Sequence, residues 1–156
     1  GISSAASDVY KRQHLTVATV VERDSKFLMV RETIDGEQVI NQPAGHVEPG
    51  EDVMAAALRE TMEETGWEVA ITGFLGFSNA MSPTTGITYY RLAFIAEALN
   101  FNADAEIDND IDSAEWMTLD EIKDPTNKPR SEMVHQAIDD FISGRVFSLE
   151  MFRNRL

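Results

Sequence analysis

The chain has 156 residues, 43% of them hydrophobic and 26% charged, with no cysteine and a formal net charge of −14. That length and composition fit one soluble globular domain, and the acidity supplies no basic footprint for a nucleic-acid polymer or an anionic membrane. The lack of cysteine excludes disulfides and thiolate metal sites and agrees with a cytoplasmic protein, and no stretch approaches the roughly 20 apolar residues that span a bilayer.

Residues 1–13 begin without methionine and show no periodicity, so they read as an N-terminal tail of cloning origin, with residues 14–156 as the domain. From His14, HLTVATVVE alternates and is rich in β-branched residues, which predicts a strand. Asp24 and Ser25 supply a turn, and KFLMVRE is the expected hairpin partner. A second turn at Thr33 to Gly36 and the segment Gln38 to Gln42 lead into a loop marked by Pro43, Gly45, Pro49 and Gly50.

A helix follows, with Asp52 as N-cap and Gly66 as its stop. Strands are expected over residues 67–77 and 87–98, joined by a loop over residues 79–86, and a short strand at Glu115 to Met117. Thr118 caps a helical turn reaching Ile122, and Pro125 and Pro129 mark a break. Ser131 opens a second long helix that buries Met133, Val134, Ala137, Ile138, Phe141 and Ile142 and ends at Gly144. This order implies an α/β (α+β) chain in which a mixed β-sheet is sandwiched between helices.

The chemistry concentrates in GHVEPGEDVMAAALRETMEETGW, Gly45 to Trp67. At about 100° per residue, Glu60 and Glu64 stand one turn apart and Glu63 lies about 60° to the other side of Glu60, so three carboxylates share one flank. Like charges at this spacing cost an isolated helix roughly 0.2–0.5 kcal/mol, and a hard divalent cation held by oxygen ligands reverses that sign. Residues 102–124 carry nine acidic residues and one lysine, a solvated run that can supply one more ligand or base.

The same stretch resembles the Nudix box, with Gly45, Glu51, Arg59, Glu60, Glu63, Glu64 and Gly66 at its fixed positions. Thr61 and Trp67 stand where the pattern has bulky aliphatic residues. The resemblance covers residues 14–144 and implies the Nudix fold and hydrolysis of small-molecule diphosphates with Mg2+, Mn2+ being the alternative ion. It implies Glu60 and Glu64 as principal metal ligands, Glu63 as a further ligand or water-activating base, the Gly45 carbonyl as another ligand, and Arg59 as the group that orients the carboxylates. A base outside the box is expected about six residues before a tryptophan-bearing strand, which selects Asp110, in competition with Glu106, Asp108 and Asp112. Arg91, Asn41 and Gln42 are the expected substrate contacts.

Within the family, TVATVV, VRETIDGE, NQPAGHVE, the arginine of YYRLAF and DIDSAEWMTLDEI resemble the bacterial NudJ-like phosphatase branch. That likeness implies removal of terminal phosphate from nucleoside tri- and diphosphates, or from hydroxymethylpyrimidine and thiamine diphosphates. Cleavage within the bridge of ADP-ribose or a nucleotide sugar is the alternative reaction, and a ligand-sensing Nudix module the alternative that is not an enzyme. The sequence is compatible with a monomer or a homodimer.

Overall fold

The structure is a computed structural model, and it describes residues 12–153. Seven strands are present: β1 (Gln13–Arg23), β2 (Lys26–Ile34), β3 (Glu37–Asn41), β4 (Ala44–His46), β5 (Trp67–Met81), β6 (Thr88–Phe101) and β7 (Ile111–Thr118). Among the described residues three α-helices accompany them: α1 (Val53–Thr65), α2 (Leu119–Lys123) and α3 (Glu132–Ile142). The strand order is β3-β2-β1-β6-β5, with β4 paired to β1 and β7 to β2. The first eleven residues of the expected tail lie outside the described residues, and β1 begins at Gln13, within the last position assigned to that tail.

β1 and β2 meet as a hairpin over only two register pairs, Glu22 with Phe27 and Arg23 with Lys26, around a turn in which Asp24 and Ser25 both have positive φ. The rest of β1 runs parallel to β6, from Gln13 opposite Thr88 to Val21 opposite Ala96. A parallel partner must come from far along the chain, and here it lies about 75 residues away by that register. β5 and β6 are longer than alternation alone marked, because their pairing continues to Met81 and Thr88 at one end and to Trp67 and Phe101 at the other.

Side chains that alternate along the central strands divide between the two faces of the sheet, one under each helix. Val17, Phe74 and Phe94 pack with Ala56 and Ala57 of α1. Their neighbours Leu75 and Ala93 face the other way, with Val20, Met29 and Ile40, against Val134, Ala137 and Ile138 of α3. The sheet is therefore mixed and carries α1 on one face and α3 on the other, as expected. Ile142 departs from the expected buried stripe: it lies at the end of α3 and is 52% exposed.

Local signals place the helix ends. The Asp52 carboxylate accepts from the N–H groups of Met54 and Ala55, and Gly66 ends α1 in the left-handed region with φ 77°. Thr118 and Glu121 form a reciprocal capping box on α2, and Ser131 caps α3.

Candidate active site

α1 carries its carboxylates toward strand β4 and the β6–β7 loop. On one side, the backbone N–H of Ala44 donates to Glu64 Oε1 at 2.8 Å, and Gly45 lies so close to Glu60 that a Cβ there would stand 2.1 Å from Glu60 Cδ. On the other, the N–H of Asp108 donates to the Glu63 carbonyl at 3.0 Å, which docks the β6–β7 loop on the end of the helix. One carboxylate oxygen from each of Glu60, Glu63 and Asp108 then lies within 4.8 Å of the others.

Arg59 organises this cluster. Its guanidinium donates to Glu51 Oε2 at 2.7 Å, Glu51 Oε1 at 2.8 Å, Glu60 Oε1 at 2.9 Å, Glu63 Oε2 at 3.1 Å and the His46 carbonyl at 3.0 Å. One planar fork thus ties three side chains of the box to the strand before it. The hydrogen bond from Arg59 holds Glu51 down at a pKa of about 2, and that bond with Glu51 is also the main cause holding the guanidinium above its ordinary value.

The two principal carboxylates are pushed the other way. Burial raises Glu60, against the opposing hydrogen bond from Arg59. Burial also pushes Glu64 up to about 8, against the Ala44 N–H bond and with help from the charges of Glu32, Glu60 and Asp108. Carboxylates held together at this cost are suited to a divalent cation, because its charge reverses the repulsion and its oxygen preference matches the donors present.

The sequence-derived candidates do not all gather at one point. Glu60 and Glu63 meet in the cluster with Asp108, one of the named competitors of Asp110, while Asp110 is exposed in the turn ahead of β7. Glu64 lies beside the cluster, tied to Ala44 and 6% exposed. Arg91, Asn41 and Gln42 do come together: Arg91 Nη2 donates to Asn41 Oδ1 at 3.1 Å and to Gln42 Oε1 at 3.0 Å. Gln42 is fully buried and spends its amide on the Val134 carbonyl at 2.9 Å, so it joins the loop to α3. Arg91, also buried, lines a small cavity of about 60 Å³ with Ser78, Met133 and Arg145, and burial brings its pKa down to about 10.

Thr61 and Trp67, the two unusual box positions, have local explanations. The Thr61 hydroxyl is buried at 2.8 Å from that of Thr19 and also donates to the Ala57 carbonyl at 2.8 Å. Trp67 packs edge-on against Trp116 with ring centroids 5.5 Å apart. A pair the sequence did not suggest joins Glu32 of β2 to Arg130, 98 residues later.

The NUDIX domain profile matches residues 12–137. With that match over most of its length and the carboxylate helix described above, the chain belongs to the Nudix hydrolase family. Phosphatase NudJ of Escherichia coli strain K12 is 37% identical over 140 residues, which is 90% of this chain and 90% of that protein. A NUDIX hydrolase from Nitrosomonas europaea superposes with a TM-score of 0.88 at 35% identity, over 92% of this chain and 97% of that one. A MutT NUDIX hydrolase from Burkholderia pseudomallei shares the fold at a TM-score of 0.68 and 18% identity, over 83% and 98% of the two chains. Among the described residues no helix is long and apolar enough to cross a membrane.

Proposed function

We propose that the chain is a Mg2+-dependent phosphohydrolase that removes terminal phosphate from small diphosphates, either nucleoside tri- and diphosphates or hydroxymethylpyrimidine and thiamine diphosphates. The observation that carries this reading is the convergence of Glu60, Glu63 and Asp108 beside the Arg59 fork. The likeness to Phosphatase NudJ supports the terminal-phosphate branch over cleavage within a bridge. We assign the protein to the cytoplasm, in keeping with a chain that has no cysteine.

In this reading Glu60, Glu63 and Glu64 hold the ion, with the Gly45 carbonyl beside them. When bound, Mg2+ neutralises charge on the phosphoryl oxygens and makes water a better nucleophile. Arg59 fixes the directions of Glu60 and Glu63, and the Ala44–Glu64 bond keeps β4 seated on the helix. Asp108 is the carboxylate we assign to take the proton of the attacking water: it is exposed on the loop that meets Glu63. It replaces Asp110 in that role because its oxygen, and not that of Asp110, joins the cluster. Arg91 and Asn41 are the groups we assign to contact the substrate, with Gln42 as the buried strut between Arg91 and α3.

Phosphorus NMR of products tests the reading, using GTP, GDP, ADP-ribose, thiamine diphosphate and hydroxymethylpyrimidine diphosphate with Mg2+, with EDTA, and with Glu64→Gln. Orthophosphate from terminal positions, lost in both controls, is the expected result. Two monophosphates from ADP-ribose as the main products would replace it with bridge cleavage.

A further inference from the structure

The side of β2 and β3 that faces α1 carries a second charged pair whose geometry the box does not explain. Register sets Glu32 opposite Val39 and Val30 opposite Asn41, so Val30, Glu32, Val39 and Asn41 share one face. Ile40 is on the other face, in the core under α3. The segment after α2 lies alongside: Ile40 bridges Pro129 in parallel, its N–H donates to the Lys128 carbonyl at 2.8 Å, and the Arg130 N–H donates to the Ile40 carbonyl at 2.9 Å. Alternation then turns Arg130 to the face of Asn41 and Glu32, where its Nη1 meets Glu32 Oε2.

The Arg91 guanidinium and the Arg130 backbone N–H therefore both reach one short segment, and the Arg130 guanidinium turns beside it to Glu32. Arg91 bonds to Asn41 and Gln42, Arg130 to Ile40 and Glu32, and three residues further on Gly45 touches Glu60. A positive pair and a negative cluster adjoin along residues 40–46, an arrangement that suits a ligand with two linked anionic groups.

The pair itself is unequal. The Glu32 side chain is 8% exposed and that of Arg130 is 45% exposed. Glu32 occupies Nη1, and the Nε and Nη2 edge of the fork donates to no other described residue. Burying a carboxylate to hold a half-exposed arginine is a weak way to gain stability, since apolar residues of similar volume commonly do as well. It is an effective way to aim a guanidinium. Its charge is also felt at Arg91 and His46, while that of Glu32 is felt at Glu64, which keeps the pair close to both ends of this segment.

We infer that Arg130 binds the phosphate that stays with the leaving group of the diphosphate, with Glu32 holding its fork in position beside the carboxylate cluster. This rests on the diphosphatase reading above and names a binding residue that the box does not contain. The free edge of the fork matches two phosphate oxygens in a bidentate contact.

The test pairs kinetics on GDP with calorimetry of methylenediphosphonate in Mg2+, a diphosphate analogue that is not hydrolysed, for the wild type, Arg130→Gln, Arg130→Lys and Glu32→Gln. Arg130→Gln should raise KM and weaken diphosphonate binding by about tenfold or more, with a smaller change in kcat. Arg130→Lys should recover only part of the loss, and Glu32→Gln, which keeps the guanidinium but removes the ion pair that aims it, should weaken diphosphonate binding by less than Arg130→Gln does. Equal melting losses in Arg130→Gln and Glu32→Gln with KM and diphosphonate affinity unchanged would overturn the inference and leave a structural ion pair. The two readings separate cleanly. Wild-type turnover indifferent to Arg130 overturns only this one. Diphosphonate binding through Arg130 without turnover of any diphosphate overturns only the hydrolase reading.

Discussion

The carboxylate of Glu60 stands where a side chain on Gly45 would have to be, with Glu60 Cδ only 2.1 Å from the position of that missing Cβ. Glycine is needed here for space, so that β4 can lie directly on the carboxylate helix. Gly45→Ala must displace the Glu60 side chain, which is flexible enough to move without unfolding the helix. We expect kcat to fall about 100-fold, as for a displaced catalytic group, with little change in melting temperature. Steady-state kinetics and a circular-dichroism melt on one preparation check this, and near wild-type kcat would show that Glu60 does not need its present position.

Glu64 gives the metal-free protein a pH-dependent stability. Its folded pKa of about 8 lies above its unfolded value of 4.5, so between those two pH values the folded state binds more protons than the unfolded one. Stability therefore falls as pH rises through this window, the cost being absent below 4.5 and complete above about 8. In EDTA, the melting temperature should drop between pH 5 and 8 by an amount corresponding to about 2 kcal/mol or more, and Glu64→Gln should flatten the curve. Added Mg2+ should release a proton on binding near pH 7, measurable as a buffer-dependent heat.

Asp108 and Asp110 are separated by one residue and by their surroundings. The first has an oxygen in the cluster with Glu60 and Glu63, and the second is exposed outside it. Asp108→Asn should lower kcat by about 100-fold, within the range for loss of a general base, while Asp110→Asn stays within about twofold of the wild type. The reverse ranking would return the role to Asp110.

Thr19 and Thr61 exchange a hydrogen bond between β1 and α1 where each side chain is 0% exposed. Removing the Thr61 hydroxyl leaves that of Thr19 without its partner, so Thr61→Val should cost about 1–2 kcal/mol by urea denaturation. Replacing both by valine should cost less than the sum of the single changes, because neither then leaves a stranded polar group. Additive losses would show that the pair is not coupled.

Much of α1 was legible before any coordinates. Its Asp52 cap, its Gly66 stop and the common flank of Glu60, Glu63 and Glu64 depend on neighbours within a few residues, where helical period and capping chemistry act directly. α3 and its Ser131 cap were readable on the same grounds. The acidic run after β6 was visible as a source of one more carboxylate, but its alternating Asp104, Glu106, Asp108, Asp110 and Asp112 offer no local signal to choose among them.

That choice was made in three dimensions, where the backbone bond from Asp108 to the Glu63 carbonyl helps to set the Asp108 side chain beside Glu60 and Glu63. The parallel pairing of β1 with β6, the burial of Arg91 against Asn41 and Gln42, and the approach of Arg130 to Glu32 share this character. Each joins segments about 50 to 100 residues apart, and its energy comes from packing and desolvation that exist only once the sheet has closed between its helices. The chain thus wrote the carboxylate helix into its local sequence, while the partners of that helix were selected by the tertiary fold.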